Sequence, residues 1–481
     1  MTEQQPSKDT LYQQTRIVHW DTVADKKSHW RGGGGRYHAR LEQLYRLVIP
    51  AGMRVLEIGC GYGDLLASVK PGIGVGVDFS PVMIQHARTK YPALRFEELD
   101  AHLVETLGET FDFIILSDLV NDLWDVQEVF ESLKVLCHPG TRIILNVYSR
   151  MWQLPLALAE MVSLATPNLS QNWLTVPDIK GLLSLAGFET ISSEHEILFP
   201  LPIPLLNDFF DRFLVKIWPF SLFGLTNLVI ARPEPERQPK TKEPSVTVVV
   251  PARNEEGNVP AIFNRIPEMG SGTEIIFVEG NSKDQTFEAI EWEIPHHPKK
   301  NVRLFKQPGK GKADAVRVGF DQAQGDILMI LDADLTVPPE DLPRFYEAIA
   351  SGKGEFINGV RLVYPMEEEA MRFLNFLGNK FFSLAFSWLL NQNIKDTLCG
   401  TKVLWKKDYQ KIVANRAYFG DFDPFGDFDL LFGAAKMRLK IVDLPVRYRE
   451  RTYGSTNISR WSHGMLLLKM VAYAAMKLKF I

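Results

Sequence analysis

Ile327-Leu328-Met329-Ile330-Leu331-Asp332-Ala333-Asp334 is an unbroken apolar run that ends in two carboxylates separated by a single alanine. Such a run reads as a strand buried on both faces, the kind that fills a parallel sheet. The two-residue period of a strand carries Asp332 and Asp334 to one side of its C-terminal end. Like charges about 4 Å apart repel by about 4 kcal/mol at an effective dielectric of about 20, so an acidic pair beside a diphosphate calls for a cation. All-oxygen ligation favours Mg2+ or Mn2+, and either ion can stabilise a departing nucleotide diphosphate as a Lewis acid.

Working outward, the runs SVTVVVPA from Ser245 and TEIIFVE from Thr273 are further apolar strands, separated by segments long enough for helices. The same alternation precedes them in MRVLEI, IGVGVDF, FDFIIL and TRIILNV. Strands alternating with helix-length segments predict a parallel sheet with crossover helices, so each half is expected to be α/β. Between the halves, ARPEPERQPKTKEP (Ala231 to Pro244) replaces apolar periodicity with prolines and charges and reads as a linker. At 481 residues the chain exceeds one ordinary core. The expected division is a domain over 1–232, a linker over 233–244 and a second domain over 245–481. The halves carry different glycine and acid patterns, so no internal repeat is expected.

The formal charge of −4, with acids and bases interspersed, excludes the broad basic surface that nucleic acid needs, and no nucleic-acid partner is expected. Cys60, Cys137 and Cys399 are too few and too scattered for a disulfide framework. They fit a reducing cytoplasm, and the polar opening MTEQQPSKDT has no apolar export segment, so no signal peptide is expected. Pro219 and Lys469, Lys477 and Lys479 interrupt the most apolar stretches, so no spanning helix is expected. The apolar segments Phe373 to Leu390 and Met465 to Ile481 are suited to contact with a membrane surface, at its inner face, or equally to core burial.

Arg54-Val55-Leu56-Glu57-Ile58 leads into Gly59-Cys60-Gly61-Tyr62-Gly63, three glycines where a strand turns into a helix. Glycine there lets the backbone approach a ligand closely. The next strand ends at Asp78, where a carboxylate can accept bonds from both ribose hydroxyls. Asp78 capping the following helix is the plain alternative. The third glycine follows the second by two residues rather than three, which disfavours the nicotinamide fingerprint. Glu57-x-Gly59-x-Gly61-x-Gly63 resembles the first motif of class I S-adenosylmethionine-dependent methyltransferases, over about Gly52 to Val147. The resemblance implies a Rossmann-like sheet binding S-adenosyl-L-methionine, with Glu57, Gly59, Gly61 and Gly63 in contact with the cofactor and Asp78 holding its ribose. Asp100 would meet the adenine and Ser117, with the residues to Asp122, the methyl-acceptor side. His102 and Asp118 are candidate bases, with no role assigned. An NAD-binding oxidoreductase, or a scaffold that keeps only the cofactor fold, are the alternatives.

The Asp332-Ala333-Asp334 stretch and its surroundings resemble inverting family 2 glycosyltransferases of the GT-A fold, nearest the polyprenyl-phosphate sugar synthases, from Val246 to about His463. By that resemblance a nucleotide-sugar donor is bound by Pro251, Arg253, Asn254, Glu255, Glu279, Lys310, Lys312 and Asp332, and the metal by Asp332 and Asp334. Glu279 and Gly280 stand where the family has two aspartates, which leaves the nucleotide open. Asp396, Cys399, Gly400, Arg449 and Arg451 would lie on the acceptor side, with Gly454 and Ser455 in the closing stretch. Asp427 or Asp429 would be the catalytic acid, Asp427 preferred. The acceptor would be a lipid phosphate or a glycan. Asn457-Ile458-Ser459-Arg460-Trp461 comes one residue short of a sugar-polymerase signature and reads as ordinary packing.

Overall fold

The computed structural model describes residues 8–27, 34–161, 169–198, 206–235, 243–361, 373–416, 428–449, 451, 453 and 460–480. Asp427, Gly454, Ser455 and linker residues 236–242 lie outside the described residues. The chain divides into two compact units between Glu234 and Pro235.

The first unit is a seven-stranded sheet in the order β3-β2-β1-β4-β5-β7-β6. Its strands are β1 (Arg54–Ile58), β2 (Ile73–Asp78), β3 (Arg95–Glu98), β4 (Phe111–Ser117), β5 (Cys137–Tyr148), β6 (Phe188–Glu196) and β7 (Thr226–Pro233). The parallel part expected from the alternating runs comprises β3, β2, β1, β4 and β5. Strand β7 runs antiparallel to both β5 and β6, so the sheet is mixed. Nothing in the periodicity announces this, because a strand buried on both faces reads alike in either direction. Val55, Leu56, Ile58, Ile114, Ile115 and Leu116 are fully buried, so helices cover both faces of the central strands.

The second unit has the order β10-β9-β8-β11-β13-β12-β14. The strands are β8 (Val246–Ala252), β9 (Thr273–Glu279), β10 (Asn301–Lys306), β11 (Ile327–Ile330), β12 (Phe356–Val360), β13 (Lys402–Trp405) and β14 (Ile441–Pro445). Strands β8 to β11 are parallel neighbours, and β13 pairs antiparallel with β11 and β12. Val246, Val248, Val249 and Val250 are all buried, as a central strand requires. Parallel strands deliver their C-terminal ends to one edge, and in open α/β sheets that edge is where ligands bind. The glycine loop after β1 and the acidic pair after β11 both leave such an edge.

Strand β11 stops at Ile330, so Asp332 and Asp334 are held by the turn that follows and not by strand period. Leu335 closes that turn with a left-handed φ of 55° and a bond from its N–H to the Asp332 carbonyl at 3.2 Å. The segment Phe373–Leu390 is a helix, and Phe386 within it is buried against Phe428 and Phe432. Among the described residues no helix is long and apolar enough to cross a membrane.

Candidate functional site

After β1 the backbone turns through Gly59, Gly61 and Gly63 at φ of 72°, 50° and 74°, a region open to glycine and costly for other residues. The N–H groups of Gly59 and Cys60 both donate to the Val77 carbonyl, at 2.8 and 3.0 Å, which pins the loop to β2. A Cβ on Gly63 would stand 2.6 Å from the Phe96 ring, whereas one on Gly61 would meet nothing within 4 Å. Gly61 therefore faces open space that a ligand can approach, while Gly63 is a packing glycine.

Glu57 is 2% exposed, and its Oε2 accepts the Leu66 N–H at 2.9 Å. Burial pushes its carboxyl well above the usual range, against the pull of that bond. It braces the helix behind the loop, so the direct cofactor contact expected of Glu57 gives way to a supporting one. Asp78 accepts the N–H of Gly61 at 2.9 Å through Oδ2 and that of Ser80 at 2.9 Å through Oδ1. The helix Pro81–Lys90 is capped by Ser80, whose Oγ accepts the Met83 N–H at 3.1 Å, so helix capping does not account for Asp78. Each Asp78 oxygen carries one backbone bond and keeps acceptor capacity for a ligand. Asp100 Oδ1 accepts the His102 N–H at 2.8 Å and lies 2.7 Å from His102 Nδ1. Burial raises the Asp100 carboxyl, but the His102 bonds outweigh it and hold the group below its ordinary value. His102 is thereby a partner of Asp100 rather than a free base.

Ser117 closes β4, and Asp118 follows in a left-handed conformation at φ 53°. Asp118 Oδ1 accepts the Tyr37 hydroxyl at 2.8 Å and the Asn146 amide at 2.6 Å, and Asn146 Oδ1 accepts the Tyr45 hydroxyl at 2.8 Å. Burial pushes the Asp118 carboxyl up to about 7, with the Tyr37 and Asn146 bonds opposing. Tyr37, Tyr45 and Asn146 carry no motif signal: they come from a preceding helix and a neighbouring strand, and only the folded sheet unites them. The glycine loop at its φ angles, the open approach at Gly61 and the acceptor-bearing Asp78 fit an adenosyl cofactor.

In the second unit, Lys312 Nζ lies 2.6 Å from Asp332 Oδ1. Arg451 spans two acids, with Nη2 2.8 Å from Asp334 Oδ2 and Nη1 3.0 Å from Glu255 Oε1. A Cβ on Gly400 would stand 1.9 Å from Asp332 Oδ2 and 2.4 Å from Lys312 Nζ. The loop before β13 thus presses against the acidic turn, and only a residue without a side chain leaves it room. Lys312, Asp332, Gly400, Asp334, Arg451 and Glu255 form one continuous site. Two partly exposed carboxylates, Asp332 and Asp334, fit a divalent ion, with Lys312 and Arg451 as cations that compete for them. Among the described residues no group of three or more His, Cys, Asp or Glu side chains is gathered for a metal.

The remaining residues are placed unevenly. Pro251 is half-buried near the end of β8, and Arg253 and Lys310 are exposed. Asn254, left-handed at φ 58°, accepts the Lys283 N–H at 2.8 Å and donates its own N–H to Ser282 Oγ at 3.0 Å. Glu279 is 4% exposed and accepts the Ser282 N–H at 2.5 Å, so it closes a turn rather than facing a base. Arg449 is exposed, its N–H donating to the Thr336 carbonyl at 2.9 Å.

Three residues turn away from the roles expected of them. Asp396 is fully buried, and both its oxygens are taken by Arg361, at 2.7 Å to Nε and 2.8 Å to Nη2, instead of facing an acceptor. Cys399 is 1% exposed and is core. Asp429 is 6% exposed, with Oδ2 2.9 Å from Arg416 Nε and 3.6 Å from Arg317 Nη2, which suits an ion pair better than a proton acceptor.

Each of the two edges lies inside a family match of its own. Residues 32–193 match the family model described as a methyltransferase domain, and residues 247–413 match glycosyl transferase family 2. A dolichol-phosphate mannosyltransferase of Pyrococcus furiosus is 31% identical over 218 residues, covering 44% of this chain and 59% of the relative. An undecaprenyl-phosphate 4-deoxy-4-formamido-L-arabinose transferase of Pseudomonas aeruginosa is 34% identical over 111 residues, 22% of this chain and 33% of the relative. The chain spans less than two thirds of either relative. Among solved structures, an S-adenosylmethionine-dependent methyltransferase from Mesorhizobium loti is 20% identical with a TM-score of 0.32, covering 42% of this chain and all of that one. The methyltransferase match displaces the oxidoreductase alternative.

Proposed function

We propose that the second unit transfers a sugar, with inversion, from a nucleotide diphosphate donor to a lipid phosphate, and that the first transfers a methyl group from S-adenosyl-L-methionine. The observation that carries the first half is the turn after β11, where Asp332 and Asp334 stand among Lys312, Arg451 and Gly400. The names of the relatives, both polyprenyl-phosphate sugar transferases, support the acceptor class. The reaction would take place at the surface of the membrane that holds the lipid.

An Mg2+ or Mn2+ ion on Asp332 and Asp334 would supply charge neutralisation for the leaving diphosphate. The chain's own contributions are positional. Lys312 sets the orientation of Asp332, and Gly400 keeps the space beside it clear. A phosphate oxygen of the acceptor attacks the anomeric carbon while the bond from that carbon to the diphosphate breaks. A lipid phosphate is already anionic, so no general base is required. That agrees with an Asp429 held between Arg416 and Arg317. In the first unit, S-adenosyl-L-methionine supplies an electrophilic methyl group; the glycine loop and Asp78 would hold its nucleoside, and the end of β4 would orient the acceptor.

The test is transfer of label from UDP-, GDP- and dTDP-sugars to polyprenyl phosphate with Mn2+, comparing the intact protein with Asp332→Ala. Label entering the organic phase with the intact protein alone supports the reading and names the donor. No label with any donor removes the lipid-phosphate acceptor.

A further inference from the structure

We propose that the Arg451 guanidinium is a resident counter-ion that holds the place of the divalent cation, and that a metal must displace it from Asp334 in order to bind. This rests on the metal-dependent glycosyl-transfer reading and adds a device to it.

Charge balance at the acidic turn comes first. Two carboxylates so close in sequence do not remain bare beside a third, and each has a protein cation: Lys312 on Asp332 at 2.6 Å, and Arg451 on Asp334 at 2.8 Å. Arg451 also reaches Glu255 at 3.0 Å, so one guanidinium joins acids that lie on two different loops. Its fork of N–H donors is shaped for such bridging. Without it, Glu255 would face the field of Asp334 and Asp284 with the Asn258 amide, 2.7 Å away, as its remaining side-chain donor among the described residues.

The two cations differ in how readily they can leave. Lys312 opens the helix Lys312–Gln322, so its backbone is fixed. Arg451 belongs to no helix or strand, lying between β14 and the helix Arg460–Ala474, and its side chain is about as exposed as that of Lys312, so the difference lies in the backbone that carries each. Its withdrawal from the acidic turn breaks its ion pairs to Asp334 and Glu255. A divalent ion at Asp334 brings more charge than the guanidinium it replaces, and the freed Arg451 is a cation suited to phosphate. Metal binding and release of Arg451 are then one exchange, and the site is switched on by the ion that catalysis needs.

The experiment measures Mn2+ binding to the full chain without donor, by electron paramagnetic resonance, in the parent, Arg451→Gln, Arg451→Lys, Arg447→Gln and the double variant Asp332→Asn with Asp334→Asn. Arg447 is exposed on the same stretch and controls for the loss of one positive charge. Arg451→Gln is expected to bind Mn2+ about fivefold more tightly than the parent, a change of the size one displaced ion pair supplies, with Arg447→Gln within about twofold. Arg451→Lys should fall between parent and Arg451→Gln. In parallel, Mn2+ should speed phenylglyoxal modification of Arg451 in the parent, read by mass spectrometry. Equal affinities in the two Arg→Gln variants, or Arg451 modification unmoved or slowed by Mn2+, overturn the exchange while the double variant still loses Mn2+. Mn2+ binding untouched in the double variant overturns the metal site and the exchange together.

Discussion

Gly400 and Asp332 are in contact across two loops: a Cβ on Gly400 would lie 1.9 Å from Asp332 Oδ2. Gly400 does not have a left-handed φ, so its backbone accepts alanine and the constraint is one of space alone. Gly400→Ala is therefore expected to fold, with a thermal midpoint close to the parent, while displacing Asp332 and Lys312. Misplacement by about 1 Å costs about 100-fold in rate. Sugar transfer and unfolding, measured on the same preparation, check this. A variant equally active, or one that unfolds early, contradicts it.

The glycine loop allows a contrast between neighbours. Gly61→Ala and Gly63→Ala both place a side chain at positive φ, costing about 1 kcal/mol each. At Gly63 the new atom also meets Phe96 at 2.6 Å, and overpacking adds about 1–3 kcal/mol. Gly63→Ala should lower the stability of the first unit more than Gly61→Ala. Gly61→Ala should instead weaken S-adenosyl-L-methionine binding at the backbone cost alone, since its Cβ enters open space. Denaturant midpoints and calorimetry of cofactor binding separate the two.

The two sites were legible to different degrees. A run such as Ile327 to Leu331 is apolar on both faces, and Val246 to Val250 nearly so, which is why the parallel strands could be read directly. The antiparallel β7 and β13 were not legible, because strand direction leaves no trace in a buried run. Glycines and acids at strand ends were visible because their types are constrained locally. Their partners were not. Arg361 meets Asp396 from 35 residues away and Arg451 meets Asp334 from 117, so no window of sequence contains the pair. The same blindness made Asp396, Cys399 and Asp429 look available, since burial is a property of the fold and not of the motif.

Asp396 and Arg361 form a buried bidentate pair, so removing one charge strands the other. Asp396→Asn is expected to destabilise the second unit by about 3–5 kcal/mol. Burial opposes the Asp396 charge, but Arg361 outweighs it and holds the carboxyl below its ordinary 3.8. A depressed folded value means stability that is present above pH 4 and lost as pH falls through that lower value. The parent should lose stability on acidification below pH 4 more steeply than Asp396→Asn, as urea titrations at several pH values would show.

Asp118 has the opposite sign. Its carboxyl is pushed up to about 7 from 3.8, so the fold disfavours its ionised form. The folded state then binds a proton that the unfolded chain has released, and stability falls as pH rises from about 4 to about 7, then levels. Asn in its place keeps an oxygen for the Tyr37 hydroxyl and the Asn146 amide, both of which donate to Oδ1. Asp118→Asn should therefore match the parent near pH 4 and exceed it at pH 8. The relevant measurement is the urea midpoint of the two proteins at both pH values. An equal difference at both would mean that Asp118 does not change its charge within this window. A parent that is the more stable at pH 8 would mean that the ionised carboxylate is held by the Tyr37 and Asn146 bonds strongly enough to outweigh its burial.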